Sequence, residues 1–174
     1  MILTIEELKQ FIDTTIDDKV LEARLQALET LIRKYTNNNF QNKNIRYLCN
    51  ALDNKIFLES DYLNVNDTIQ VVNTMYNDGI YHIIKKENGF IELNKPLFAE
   101  VGLMIIKVDY PDDVKMGCIN MLKWELDNRD KVGIQSETIS RHSVTYFDMN
   151  GDNSIMGFPK SLLGFLKPYM KARF

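Results

Sequence analysis

The sequence predicts an α+β fold: a mainly helical core, a small antiparallel β insertion lobe and an extended arm before the C-terminal helix. Two long stretches with apolar residues at helical spacing flank a middle stretch of short branched and aromatic runs divided by Asn, Asp and Gly. After the second long stretch comes GIQSETISRHSVTYF, Gly133 to Phe147, which follows neither spacing yet carries Ile134, Ile139, Val144, Tyr146 and Phe147. The boundaries that follow are 1–44 and 109–174 for the helical core, 131–158 for the arm within it, and 45–108 for the lobe. With 174 residues, 45% of them apolar and 26% charged, the chain can bury a core of its own.

Thr4, with Glu6 and Glu7 behind it, is suited to cap a short helix through about Phe11, because its hydroxyl can satisfy a free amide and the acids favour the positive helix end. A longer helix is expected to start at Asp17 or Asp18. Leu21, Leu25, Leu28, Ile32 and Tyr35 recur there at the spacing of one buried face, and TNNNF stops the run because short amides compete for backbone hydrogen bonds. From about Ile45 the texture changes to KIFLES, DTIQVVN, GIYHIIKK, GFIELN and GLMIIKVDY, which is strand and turn language. NDG at Asn77 to Gly79 and NG at Asn88 and Gly89 supply residues that tolerate positive φ, so a meander or small barrel of four or five strands is expected.

Pro111 suits the first turn of a second long helix, with Asp112 and Asp113 at its positive end. Val114, Cys118, Met121, Leu122 and Leu126 form its apolar stripe, and Gly117 leaves room for close packing. The helical core is therefore expected to rest on Leu21, Leu25, Leu28, Ile32, Val114, Cys118 and Leu122. A last helix is expected from Pro159 to about Met170, with Leu162, Phe165, Leu166, Tyr169 and Met170 at helical spacing and Pro168 distorting its final turn.

Charge and motifs exclude several classes of function. Against 21 basic residues stand 24 acidic ones, a net charge of -3, so no overall field gathers nucleic acid. Lys160, Lys167, Lys171 and Arg173 make a local basic end, which a helix complementing its own dipole also explains. Tyr76, Tyr81 and Phe90 suggest a stacking surface, but Asp67, Asp78, Glu87 and Glu92 dilute Lys85 and Lys86, and strand packing explains the rings better. Cys49 and Cys118 form no CxxC pair and fit a reducing compartment. MILTIEELKQF carries acids where a secretory signal needs an uninterrupted apolar core, so an untargeted, soluble chain is expected.

Catalysis finds no support. His142 stands beside Ser143 and near Asp148, but no G-x-S-x-G elbow is present and one arm does not supply independent rigid supports for nucleophile and base. His82 falls inside a strand. DMNGD, with Asp148, Asn150 and Asp152, has the alternating oxygens of a calcium loop, yet its glycine is misplaced and position 159 is Pro159 where a bidentate Glu belongs. No catalytic, cofactor-binding or metal-ligating residue is assigned, and no cofactor is expected.

The order of segments is informative. LTIEELKQFI, then DDKVLEARLQALETLIRKYTNNNF, then NDTIQVVNTMYNDGIYHIIKKENGFIELN, the helix after Pro111 and GIQSETISRHSVTY together resemble the head-tail connector proteins of tailed bacteriophages, in the form with a β-rich middle insertion. These adaptors dock beneath the portal. The resemblance implies a mainly helical protomer, copies of itself in a ring, commonly of twelve, and a channel through which genomic DNA passes without sequence recognition. It also implies portal and stopper or tail-completion partners, a place in the virion neck, and assembly in the host cytoplasm.

On this resemblance the post-helix arm includes Ser136, Thr138, Ile139, Ser140, Val144 and Tyr146, and Lys167, Lys171 and Arg173 are candidate portal contacts. Ordering an arm costs about 1–2 kcal/mol per residue, which a neighbouring chain can offset. Ile139 and Val144 have opposite alternation parity, so a bend near Arg141 and His142 is needed to bring both to one face. Two other readings stay open: a neck stopper or tail-completion protein, whose β-rich barrel would correspond to residues 45–108, and a small binding module acting through the β lobe.

Overall fold

The structure is a computed structural model and describes residues 1–128, 136–139, 142–145, 147–148 and 151–172; for 136–139 and 142–145 it describes the backbone. The chain divides into two compact units, Met1–Thr4 with Asn37–Tyr110, and Ile5–Thr36 with Pro111–Phe174.

The first unit is an antiparallel sheet of β1 (Gln41–Phe57), β2 (Thr68–Val72), β3 (Gly79–Glu87) and β4 (Phe90–Val108). β4 lies between β1 on one side and β2 and β3 on the other; β2 pairs with its Met104–Val108 end, β3 with its Phe90–Leu93 end, and β2 with β3. The sheet thus bends round a core of Ile56, Ile69, Val71, Ile83, Leu103 and Ile105, all essentially inaccessible.

The chain is not mainly helical, which corrects the predicted architecture. β1 and β4 hold 17 and 19 residues, as many as α3 (Asp112–Asn128) and α2 (Asp18–Thr36). Sequence reading shortened both strands because each runs through residues that look like breaks. Val101 and Leu103 face the consecutive Asn50 and Cys49, leaving Gly102 as an extra residue at φ 78°. Its N–H donates to Asn50 Oδ1 at 3.1 Å, so the bulge is held in place. Pro96 lies between Glu92 and Leu97, whose partners are Lys55 and Asp53, and here too the ladder shifts register. A bulge excuses the missing N–H of a proline inside a strand.

The second unit contains α1 (Ile5–Lys9), α2, α3 and a C-terminal 3₁₀ helix (Lys160–Tyr169). α2 begins where Asp17 Oδ1 accepts the Lys19 N–H at 2.9 Å, an N-cap bond, and is followed by Asn37 at φ 51°. Its buried residues are Leu21, Leu25, Leu28, Glu29, Ile32 and Thr36. From α3, Val114, Gly117, Cys118, Ile119, Met121 and Leu122 are buried.

Two further expectations for this unit are corrected. The last element is a 3₁₀ helix, and with about three residues per turn it buries Leu163 and Leu166, leaving Leu162 half-buried. Phe165 lies over Gly117, where an added Cβ would come within 2.2 Å of the ring. The arm is also not one extended strand. β5 (Ser136–Ile139) and β6 (His142–Thr145) pair antiparallel, Ser136 with Thr145 and Ile139 with His142, so the segment meets its own backbone hydrogen bonds in part. A short pair, β7 (Ser154–Ile155) and β8 (Phe158–Pro159), leads into the 3₁₀ helix.

Candidate assembly site

α2 presents a second apolar stripe beside its buried one. Val20, Ala23, Ala27, Leu28 and Leu31 recur at three- and four-residue steps, and with Arg24 they form one wall of a groove of about 820 Å³. Trp124, Glu125 and Asn128 of α3 and Met156, Gly157 and Phe158 around β7 and β8 form the rest of the described wall. The Trp124 ring is held by Phe158, with centroids 5.4 Å apart, and meets Phe147 edge-on at 5.6 Å. Phe147 follows β6 by one intervening residue, so the chain leaving the β5–β6 hairpin returns to the rim of this groove.

Polar chemistry in the groove centres on Arg24. Its Nη1 stands 4.0 Å from Glu125 Oε1, with the two side chains 17% and 26% exposed, and that nitrogen is buried without a hydrogen-bond partner. A separation of 4.0 Å is too long for a hydrogen bond, so the pair is joined by weak Coulomb attraction alone. A buried donor left unmade costs about 1–3 kcal/mol.

Deeper in the same unit Glu29, 1% exposed, lies 3.6 Å from Arg33 Nη1. Burial first, and then the nearby Glu29 charge, push the Cys118 thiol up to about 12, so it stays protonated and packs as a small hydrophobe. At the other end of α3 the Tyr169 hydroxyl donates to Asp113, 2.8 Å from Oδ1, and this bond holds the phenol above its ordinary value. The Lys171 N–H donates to the Thr36 carbonyl at 2.8 Å, fixing the backbone after the 3₁₀ helix onto the end of α2.

The residues singled out from sequence are distributed as follows. Leu21, Leu25, Leu28, Ile32, Val114, Cys118 and Leu122 are buried, and Leu28 also reaches the groove wall. Lys167 and Lys171 are exposed. In the hairpin, the register puts Glu137, Ile139, His142 and Val144 on one face and Ser136, Thr138, Ser143 and Thr145 on the other. The reversal between the strands therefore removes the parity conflict between Ile139 and Val144. Ser140, Tyr146 and Arg173 lie outside the described residues.

Arg24, Glu125 and Trp124 were not assigned a role from sequence. The signal was present in the Val20, Ala23, Ala27, Leu31 spacing, but alanines score weakly as an apolar face. In the sheet unit His82 is an ordinary strand residue, with Nδ1 3.1 Å from Thr68 Oγ1 and its N–H donated to Asn94 Oδ1. Burial raises the Cys49 thiol to about 12 as well. Among the described residues no cluster of His, Cys, Asp and Glu is arranged to hold a metal ion. No protein-family model matches the chain, and no curated protein matches it.

Proposed function

We propose that this chain is a structural head-tail connector of a tailed bacteriophage, whose copies join in a ring beneath the portal and extend the DNA channel toward the tail. The observation that carries the reading is the pairing, on one unit, of an apolar groove with a hairpin whose exit strand leads to the groove's rim. A groove and a hairpin are unlike surfaces, so a contact of one with the other between copies would be head-to-tail, and such contacts close into a ring when their rotations sum correctly. The resemblance in segment order supplies the number twelve, the portal above, the stopper or tail-completion protein below, and DNA as cargo. Exposed Lys167 and Lys171 fit a charged rim that guides docking on the portal.

A neck stopper or tail-completion protein is the second reading, favoured by the size of the sheet unit, whose long strands equal the long helices in length. The layer occupied in the neck separates the two. Incubation of the full chain with portal-bearing heads that lack tails, followed by electron microscopy, should show a ring directly on the portal. A ring that forms only after another neck protein has bound supports the stopper, and heads that never bind the chain reject both. Deleting Ser136 to Tyr146 should preserve the helical circular-dichroism signal and abolish incorporation.

A further inference from the structure

We propose that the outward face of the sheet unit is a contact between two copies of this chain, related by a two-fold axis near Val101. The contact uses the sheet unit alone and is independent of the connector reading.

Strand register builds the face. Cys49, Ala51, Leu97 and Leu103 belong to the core of the sheet, so their chain neighbours Leu48, Leu52, Phe98 and Met104 point outward. Leu48 pairs with Met104 and Asn50 with Val101, which sets Val101 beside the middle of the run from Leu48 to Leu52. Phe98 carries the face on to Tyr76, whose ring centroid is 5.5 Å away, and to Met75, whose N–H donates to Glu100 Oε1 at 3.1 Å. The Asn77 side chain bonds both the N–H and the carbonyl of Phe98, so this aromatic end is already ordered and little freedom is lost when it is covered. Leu48, Leu52, Met75, Tyr76, Phe98 and Val101 each keep half or more of their surface in solvent.

Two observations select a second copy as the occupant. The first is area. At about 200 Å² for a large side chain, the six together expose on the order of 800 Å², above the roughly 300–600 Å² of the largest patch on a typical monomer. Covering the patch on two copies removes about 1,600 Å² from water, the size of a stable interface. The second is charge. None of the six side chains is ionised, so the patch can face itself without opposing like charges. Exposed charges of opposite sign stand at its two ends on β1, Arg46 before Leu48 and Asp53 after Leu52. An axis lying across the strands runs the two β1 strands in opposite directions and brings Arg46 of each copy toward Asp53 of the other. A lipid surface would call for a cationic rim, and here Asp53 and Asp78 border the face.

Sedimentation velocity of the full chain from about 1 to 100 μM tests the contact. The expected result is a monomer–dimer equilibrium. Val101→Glu should weaken it about ten-fold or more with an unchanged thermal melt, because that side chain is exposed in the lone chain. Arg46→Glu should weaken it about three-fold, as a rim charge does. Val101→Cys should form a disulfide-linked homodimer about ten-fold faster than Ile84→Cys, which is exposed on β3, while the buried Cys49 and Cys118 do not compete. A chain that stays monomeric at about 100 μM overturns the proposal, and flotation of that monomer with phosphatidylcholine vesicles would give the face to lipid instead. A dimer that Val101→Glu leaves intact overturns this face, equal disulfide rates overturn the axis near Val101, and indifference to Arg46→Glu overturns the antiparallel placement. Each of these failures leaves the connector reading standing, since that reading is tested on portal-bearing heads.

Discussion

Asn77 in the sheet unit and Arg24 in the helical unit are both polar side chains with buried atoms, and they are treated in opposite ways. Asn77, 1% exposed, donates from Nδ2 to the Phe98 carbonyl at 3.0 Å and to Glu100 Oε2 at 2.8 Å, and its Oδ1 accepts the Phe98 N–H at 2.8 Å. Its own carbonyl accepts from the Tyr81 hydroxyl at 2.9 Å. Every group is used, and the effect is to pin the irregular part of β4 to the loop before β3. Arg24 Nη1 has no such partner. Buried polar groups in folded proteins are almost always satisfied, and Arg24 Nη1 shares its exception with Arg33 Nη1 on the same helix and Gln70 Oε1 in the sheet. The contrast with Asn77 is therefore one of side chains: one is fully used where it stands, the other is not.

The largest expected effect of breaking this contrast is at Asn77. Asn77→Ala leaves both Phe98 backbone groups without their partner and should cost about 2–3 kcal/mol, read as a lower urea midpoint for the sheet unit. A change below about 0.5 kcal/mol would mean that water replaces the side chain at no cost.

Gly117→Ala comes next. A methyl group there meets the Phe165 ring, and displacing the ring should outweigh the helix-propensity gain of about 1 kcal/mol for a net loss of about 1–2 kcal/mol. Pairing it with Phe165→Leu should recover part of the loss, and equal losses with and without that second change would deny the contact.

Arg24→Met is the smaller and sharper test. Because its buried Nη1 has no acceptor in the lone protomer, its removal should leave stability unchanged or raise it by up to about 1–3 kcal/mol, while incorporation into heads falls. A loss comparable to that of Asn77→Ala would show that Arg24 is satisfied within its own chain and would erase the contrast.

The smallest effect concerns pH. The Tyr169 phenol titrates above its ordinary value when folded, because its hydroxyl donates to Asp113. Its contribution is therefore complete below the unfolded value of about 10 and is lost as pH rises through the raised folded value. The intact chain should lose stability more steeply above about pH 10 than Tyr169→Phe does, and parallel pH profiles would contradict the bond.

What the sequence revealed and what it concealed divide along physical lines. Helical periodicity is local, so α2 and α3 could be read from the steps between Leu21 and Ile32 and between Val114 and Leu122. The long strands were concealed because their outward face is not polar: Leu48 is 73% exposed and Val101 85%, which spoils the alternation that identifies a half-buried strand. Gly102 and Pro96 read as ends because a bulge depends on a partner strand far away in sequence. The 3₁₀ helix was missed for a related reason, since the fit of Phe165 over Gly117 is a tertiary contact with no local signature. Glu29 was the least legible of all: a carboxylate between apolar positions 28 and 32 resembles solvent-exposed charge, yet it is 1% exposed in the fold. In the groove, the alanines at positions 23 and 27 carried the signal, but small side chains are a weak mark of an apolar face.

An electron-microscopy map of the assembled neck at side-chain resolution bears most directly on the central claim. The account predicts a closed ring of this chain directly on the portal, with residues 136–145 of each copy lying against the next. A map with that hairpin against its own chain's groove, or standing in solvent, would contradict it.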